Sequence, residues 1–216
     1  MDTKEKLCIT IAISRQMGSG GTYIGYLAAK ELGFRYLDRE ILRQAANKLG
    51  IEPDMLERYD ERSTSVIENI IQSFCFGTPE MPFLPPLGMP VYNKVLFALE
   101  SKIIKDVADH CSAVIVGRGG FYILKDRPNT INIFVHAPLD YRILRIMKVQ
   151  KIADKREAQK MIEEYDHKRA KFIRDMVGID RFDARNYHLC IDSSVVGFPA
   201  CVEMITKLVS IKRAAQ

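Results

Sequence analysis

The run Ile9-Thr10-Ile11-Ala12-Ile13-Ser14-Arg15-Gln16-Met17-Gly18-Ser19-Gly20-Gly21-Thr22 joins an apolar, β-branched stretch to a glycine-rich turn that opens a helix. A strand–loop–helix of this kind builds a phosphate cradle: backbone N–H groups converge in the loop, and the helix N-terminus adds partial positive charge. Laid on Arg15–Thr22, the pattern G-x-x-x-x-G-K-[ST] finds Gly20 and Thr22 in place. Arg15 stands at the first glycine and Gly21 at the lysine. The spacing therefore predicts a phosphate site at Gly18, Ser19, Gly20, Gly21 and Thr22, with the Thr22 hydroxyl placed to ligate a nucleotide-bound Mg²⁺. With no charge at position 21, Arg15 is the candidate to supply it from the other side of the loop. The plainer reading is a glycine-rich turn capped by Thr22.

Apolar β-branched runs recur at Cys8–Ile13, Phe34–Leu37, Ala113–Val116, Ile131–Val135 and His188–Ile191, separated by segments of helical periodicity. That alternation predicts an α/β fold, a parallel sheet flanked by helices on both faces. The first helix is expected over 20–32, with Gly33 as its stop, and a second from Asp38 to Gly50, with Asp38 as N-cap. Short helices are expected at 54–59 and 65–76, and longer ones over 91–110, 140–150 and 155–176. Pro199 marks the start of a C-terminal helix. The proline-rich stretch 77–90 fits neither helix interior nor central strand, yet it is apolar. It reads as a surface loop packed on its own side chains, a lid over an acceptor, or a homodimer contact.

At 216 residues the chain is long enough for one domain with insertions. Its net charge of +5 suits an anionic ligand, and without a lysine-rich tract it does not point to nucleic acid. No apolar segment has the length of a signal peptide or membrane span. Cys8, Cys75, Cys111, Cys190 and Cys201 are scattered and lack C-x-x-C spacing, as expected of reduced thiols in a cytoplasmic protein. The four His residues show neither zinc-like spacing nor a Ser-His-Asp grouping.

Three motifs together carry a resemblance. Ser14-Arg15-Gln16-Met17-Gly18-Ser19-Gly20-Gly21, Phe34-Arg35-Tyr36-Leu37-Asp38 and Val116-Gly117-Arg118-Gly119-Gly120 resemble the cytidylate-kinase-like branch of the P-loop nucleoside monophosphate kinases. The likeness runs from Ile9 to the C-terminal helix. Cytidylate kinases carry G-S-G-K-G-T, Y-x-D-T-G and G-R-D at these places, and each motif is altered here at one or more positions. The resemblance implies a single P-loop kinase-like domain over 1–216, with an acceptor-binding helical insertion at about 40–110 and a mobile lid at about 138–176. It implies ATP with Mg²⁺ as donor and a nucleoside monophosphate, CMP-like, or another small phosphorylated acceptor. Arg118, directly after a strand, becomes a clamp for the acceptor phosphate. Asp38 becomes a residue orienting the acceptor or a Mg²⁺-bound water. Asp166, Arg169 and Arg174 resemble the D-x-x-R of the lid. Arg142 and Arg145, three apart on one helix face, join Arg169 as cations for the β- and γ-phosphates. Solvated helix faces are the alternative for these arginines. Val116 occupies the place of an Asp that often serves Mg²⁺. With Gly21, it keeps a second reading open: a nucleotide-binding relative of the kinases without catalysis.

Overall fold

The computed structural model describes residues 8–38 and 94–215. The helices expected at 38–50, 54–59 and 65–76 and the stretch 77–90 lie outside the described residues, as does most of the insertion. β1 (Thr10–Arg15) is buried along its whole length. It lies between β3 (Ala113–Val116) and β4 (Thr130–His136), with Ile13 beside Val116 and Ile133. β2 (Arg35–Leu37) adds outside β3, and β5 (Leu189–Asp192) outside β4. The order is β2-β3-β1-β4-β5 and every pairing is parallel. Strands covered on both faces have no solvated side to fill with polar residues, hence the unbroken apolar runs.

α1 (Gly21–Leu32) and α7 (Phe198–Ala214) cover one face, where Ile11, Ile13 and Ile133 pack with Ile24, Ala28, Ile205 and Val209. α2 (Lys94–His110) and α3 (Gly120–Ile123) cover part of the other, with Leu99, Ile103, Ile104 and Val107 against Ala113, Ile115 and Leu124. α4 (Leu139–Gln150) and α5 (Lys155–Val177) form a hairpin, and Phe172 and Ile173 of α5 pack on Ala12 and Phe121. The hairpin has its own cluster, Ile143, Ile146, Ala158 and Ile162, into which Met17 inserts from the loop after β1. The one-turn helix α6 (Ser193–Val196) follows β5, with the Asp192 carboxylate accepting from Ser194 N–H. Among the described residues no helix is long and apolar enough to cross a membrane.

Candidate active site

The loop between β1 and α1 emerges at the carboxyl end of the central strand, where open α/β sheets bind ligands. Gly18 and Gly20 have φ of 83° and 80°, a left-handed region open to glycine without steric cost. Both are also hemmed in. A Cβ on Gly18 would stand 2.8 Å from Arg142 Cβ, and one on Gly20 would stand 2.6 Å from Phe198 Cε1. Side chains tie the loop down. Ser19 Oγ donates to Gln16 O at 2.9 Å and Ser193 Oγ to Ser19 O at 2.7 Å. Gln16 Oε1 accepts from Ala137 N–H at 3.2 Å.

The α4–α5 hairpin grips the same loop with charge. Asp166 Oδ1 accepts from Met17 N–H at 2.9 Å, and Asp166 Oδ2 takes Arg142 Nη1 at 2.6 Å. Arg142 Nη1 also donates to Met17 O at 3.2 Å. Arg169 Nη1 reaches Arg15 O at 3.4 Å and lies 3.6 Å from Asp166 Oδ1. Arg181 Nη2 donates to Arg15 O at 2.6 Å. A carboxylate between two guanidinium groups is the pairing that buried charge requires.

A cavity of about 410 Å³ opens beside the loop. Gly18, Gly20, Gly21 and Thr22 line its floor, with Arg15, Asp38, Arg145 and Arg169 around them. Arg15 is only 8% exposed, and its Nε donates to Thr22 Oγ1 at 3.3 Å. Tyr36 donates to Asp38 Oδ2 at 3.3 Å. Burial pushes the Tyr36 phenol well above its ordinary value, Asp38 raises it further, and the Arg15 charge opposes both. At the far wall Arg145 lies over the Phe198 ring, 5.2 Å from its centroid, and Tyr23 packs on the same ring at 6.0 Å. This is a cationic, glycine-floored cleft with an aromatic wall, suited to a phosphate chain joined to a planar group.

The cleft thus gathers Arg15, Gly18, Gly20, Gly21, Thr22, Asp38, Arg145 and Arg169 of the expected residues. Ser19 is fully buried beneath it. Arg142 is buried against the underside of the loop, and Arg174 is exposed on α5. Arg118 faces another partner: its Nε donates to Glu100 Oε2 at 2.7 Å, its Nη2 bonds the same oxygen, and its guanidinium stands 4.9 Å from the Phe172 centroid. Arg181, Glu100 and Phe198 escaped sequence reasoning. Arg181 follows the Gly178 cap of α5 in an irregular segment, with no periodicity to mark it.

Thr22 and Asp38 are the residues here whose chemistry could suit a metal. Val116, where a strand-end carboxylate would serve Mg²⁺, is fully buried and apolar. Thr22 and Asp38 line the same cavity and are both hard oxygen donors. Mg²⁺ takes few protein oxygens and completes its shell with phosphate and water, so this donor set fits it.

Known proteins carry the same architecture. A structure of an uncharacterised protein from Eubacterium ventriosum superposes with a TM-score of 0.66 at 22% identity, covering 94% of this chain and 98% of that one. A gluconokinase from Sinorhizobium meliloti gives 0.53 at 10% identity over 98% and 99% of the two chains. A shikimate kinase from Bacteroides thetaiotaomicron gives 0.50 at 14% identity over 94% and 98%. At such identities the likeness is one of fold, that of the P-loop kinases. No curated protein sequence matches the chain. The sequence profile of the cytidylate kinase-like family matches residues 10–195, from the first strand into the short helix after the last, and the chain belongs to that family.

Proposed function

We propose that the protein transfers the γ-phosphoryl group of Mg²⁺-ATP to a nucleoside monophosphate, CMP-like, or to a related small phosphorylated acceptor. The observation that carries the reading is a buried Arg15 cation beside the Gly18–Thr22 cradle, in one cavity with Asp38 and Arg169. An acceptor phosphate oxygen attacks the γ-phosphorus, the bond to the β,γ-bridging oxygen breaks, and ADP leaves. Such a step needs positioning and charge screening more than covalent help. The loop backbone and the N-terminus of α1 hold the donor phosphates, and Arg15 and Arg169 neutralise the charge that spreads over the transferring group. Arg142 contributes through the loop that it and Asp166 hold in shape. Asp38 orients the acceptor, and Arg118, at the end of β3, is the acceptor-side cation once Glu100 yields it. Thr22 and Asp38 would hold Mg²⁺, which when bound screens the donor phosphates.

A second reading, a nucleotide binder without turnover, draws on Gly21 and the apolar Val116. Turnover of CMP, UMP, AMP, dCMP and a phosphorylated sugar with Mg²⁺-ATP, followed by ADP release, separates the two. The kinase reading expects ADP formation that depends on one acceptor. ATP binding with no ADP from any of them establishes the second reading.

A further inference from the structure

The pattern G-x-x-x-x-G-K-[ST] places a glycine first and its cation next to the terminal Ser/Thr. Here the two residue types are exchanged, for Arg15 closes β1 and Gly21 opens α1. The geometry makes this one exchange rather than two. A Cβ on Gly21 would stand 2.5 Å from Arg15 Cβ, 3.2 Å from Arg15 Cγ and 3.1 Å from Val135 Cβ. The Arg15 stem fills the volume that a side chain at position 21 requires. Further out, a Cβ on Gly117 would overlap Arg15 Nη1 and stand 3.1 Å from its Cζ. The head of Arg15 passes over bare backbone at the end of β3 and reaches Thr22 Oγ1. The backbone of Gly21 makes no demand for glycine. It is helical, outside the set of positive-φ residues, and glycine there forgoes helix propensity.

We infer that Arg15 and Gly21 are a coupled pair that moves the phosphate-binding cation of this cradle from the helix to the strand, with Gly117 clearing the path of the guanidinium. The inference rests on the phosphate-binding reading above and adds to it how the donor is gripped. A lysine ammonium on the helix is a mobile point charge. Arg15 instead offers a planar fork, held by its packing and by Thr22 before a ligand arrives, and that fork suits two oxygens of a polyphosphate. The pair also assigns a binding role to Gly21, although it carries no functional group.

Calorimetric titration of Mg²⁺-ATP into wild type, Arg15→Ala, Arg15→Gly, Gly21→Ala, Arg15→Gly/Gly21→Ala and Arg15→Gly/Gly21→Lys tests the coupling, with melting curves as the folding control and glycine at position 15 because the Arg15 Cβ is itself the nearest obstacle. Arg15→Ala should weaken ATP by about tenfold or more, the scale of a lost charge-assisted contact. Gly21→Ala, which adds one methyl and no charge, should weaken it comparably by displacing the Arg15 stem. The losses should not add in the Arg15→Gly background: with the Arg15 Cβ gone the methyl loses its nearest obstacle, and its further cost should be about twofold or less. Arg15→Gly/Gly21→Lys should regain affinity over Arg15→Gly, because the cation returns to the helix. If Gly21→Ala unfolds the protein, Arg15→Gly should restore its melting temperature in the double variant, and absence of that rescue overturns the coupling. Equal cost of the methyl with and without Arg15 overturns it as well, and so does an Arg15→Ala protein that binds ATP like wild type. A wild type that takes up neither ATP nor tripolyphosphate overturns the phosphate-binding reading itself, a result distinct from these.

Discussion

Arg118 adopts φ of 52°, a left-handed conformation that side chains rarely take, while its guanidinium bonds a Glu100 that is 1% exposed. Local strain of this kind persists only where tertiary contacts over-determine it, and the buried ion pair with the Phe172 ring supplies such contacts. Glu100→Gln leaves the guanidinium without a counter-charge, and urea unfolding should register a loss of about 3 kcal/mol, the scale for breaking a buried pair from one side. Tyr187 offers a second test at this scale. It donates to Arg181 O at 2.7 Å, and burial pushes its phenol from an ordinary 10.0 to about 12. The folded chain therefore holds this proton more tightly than the unfolded one. The stabilisation is complete below pH 10 and fades as pH rises from there through about 12. Tyr187→Phe should cost about 1 kcal/mol at neutral pH through the lost hydrogen bond, and it should flatten the alkaline decline. An unchanged slope above pH 10 would place the titration elsewhere, with Tyr36 next in order because its phenol is raised too.

At the scale of elements, the α4–α5 hairpin and the loop after β1 act as one piece. Met17 enters the hairpin's apolar cluster, and Asp166 takes both the Met17 N–H and the Arg142 guanidinium. Asp166→Asn removes the counter-charge of a buried arginine and slackens the loop. It should lower stability by about 3 kcal/mol, and ATP should bind more weakly as a consequence of the lost preorganisation. A variant that loses stability while ATP affinity stays at the wild-type value would uncouple hairpin from cradle. The elements themselves were legible from sequence wherever hydrophobic period decides structure. Ala113–Val116 matches its strand end for end, Gly33 stops α1 in the left-handed conformation, and Pro199 opens α7. Strand ends slipped by a residue or two because an apolar run does not say where pairing ends: the central β1 runs Thr10–Arg15 where Cys8–Ile13 was expected, and Phe34 and His188 fall outside β2 and β5. The loop at Gly18–Thr22 was legible because a turn of this kind writes itself in glycine. The contacts of Arg142, Arg118 and Arg181 were not, since each is fixed by a partner 18 or more residues away, a separation no local pattern encodes.

On the scale of the molecule, five parallel strands bring the ends of β1, β2 and β3 to one rim, and with them Arg15, Asp38 and Gly117. Residues scattered through the sequence meet there because each parallel strand needs a crossover, and every crossover starts from that rim. The net charge of +5 favours anions at the rim over long range. A ligand bound at the cradle also bridges β1, α1 and the hairpin, so binding should register as global stabilisation. At a Mg²⁺-ATP concentration one hundred times its dissociation constant the gain should be about 2.7 kcal/mol, or about 5–10 °C in melting temperature for a chain of this size. The shift should shrink as salt rises from about 0.05 to 0.5 M, because screening weakens exposed charge more than the buried Arg15 contact. At the same ATP concentration and low salt, Arg15→Ala should remove about half of the shift or more, the result of an about tenfold or larger loss of affinity. A shift that ignores both salt and Arg15 would mean that the apolar wall around Phe198 holds the nucleotide through its base, with the phosphates left in solvent.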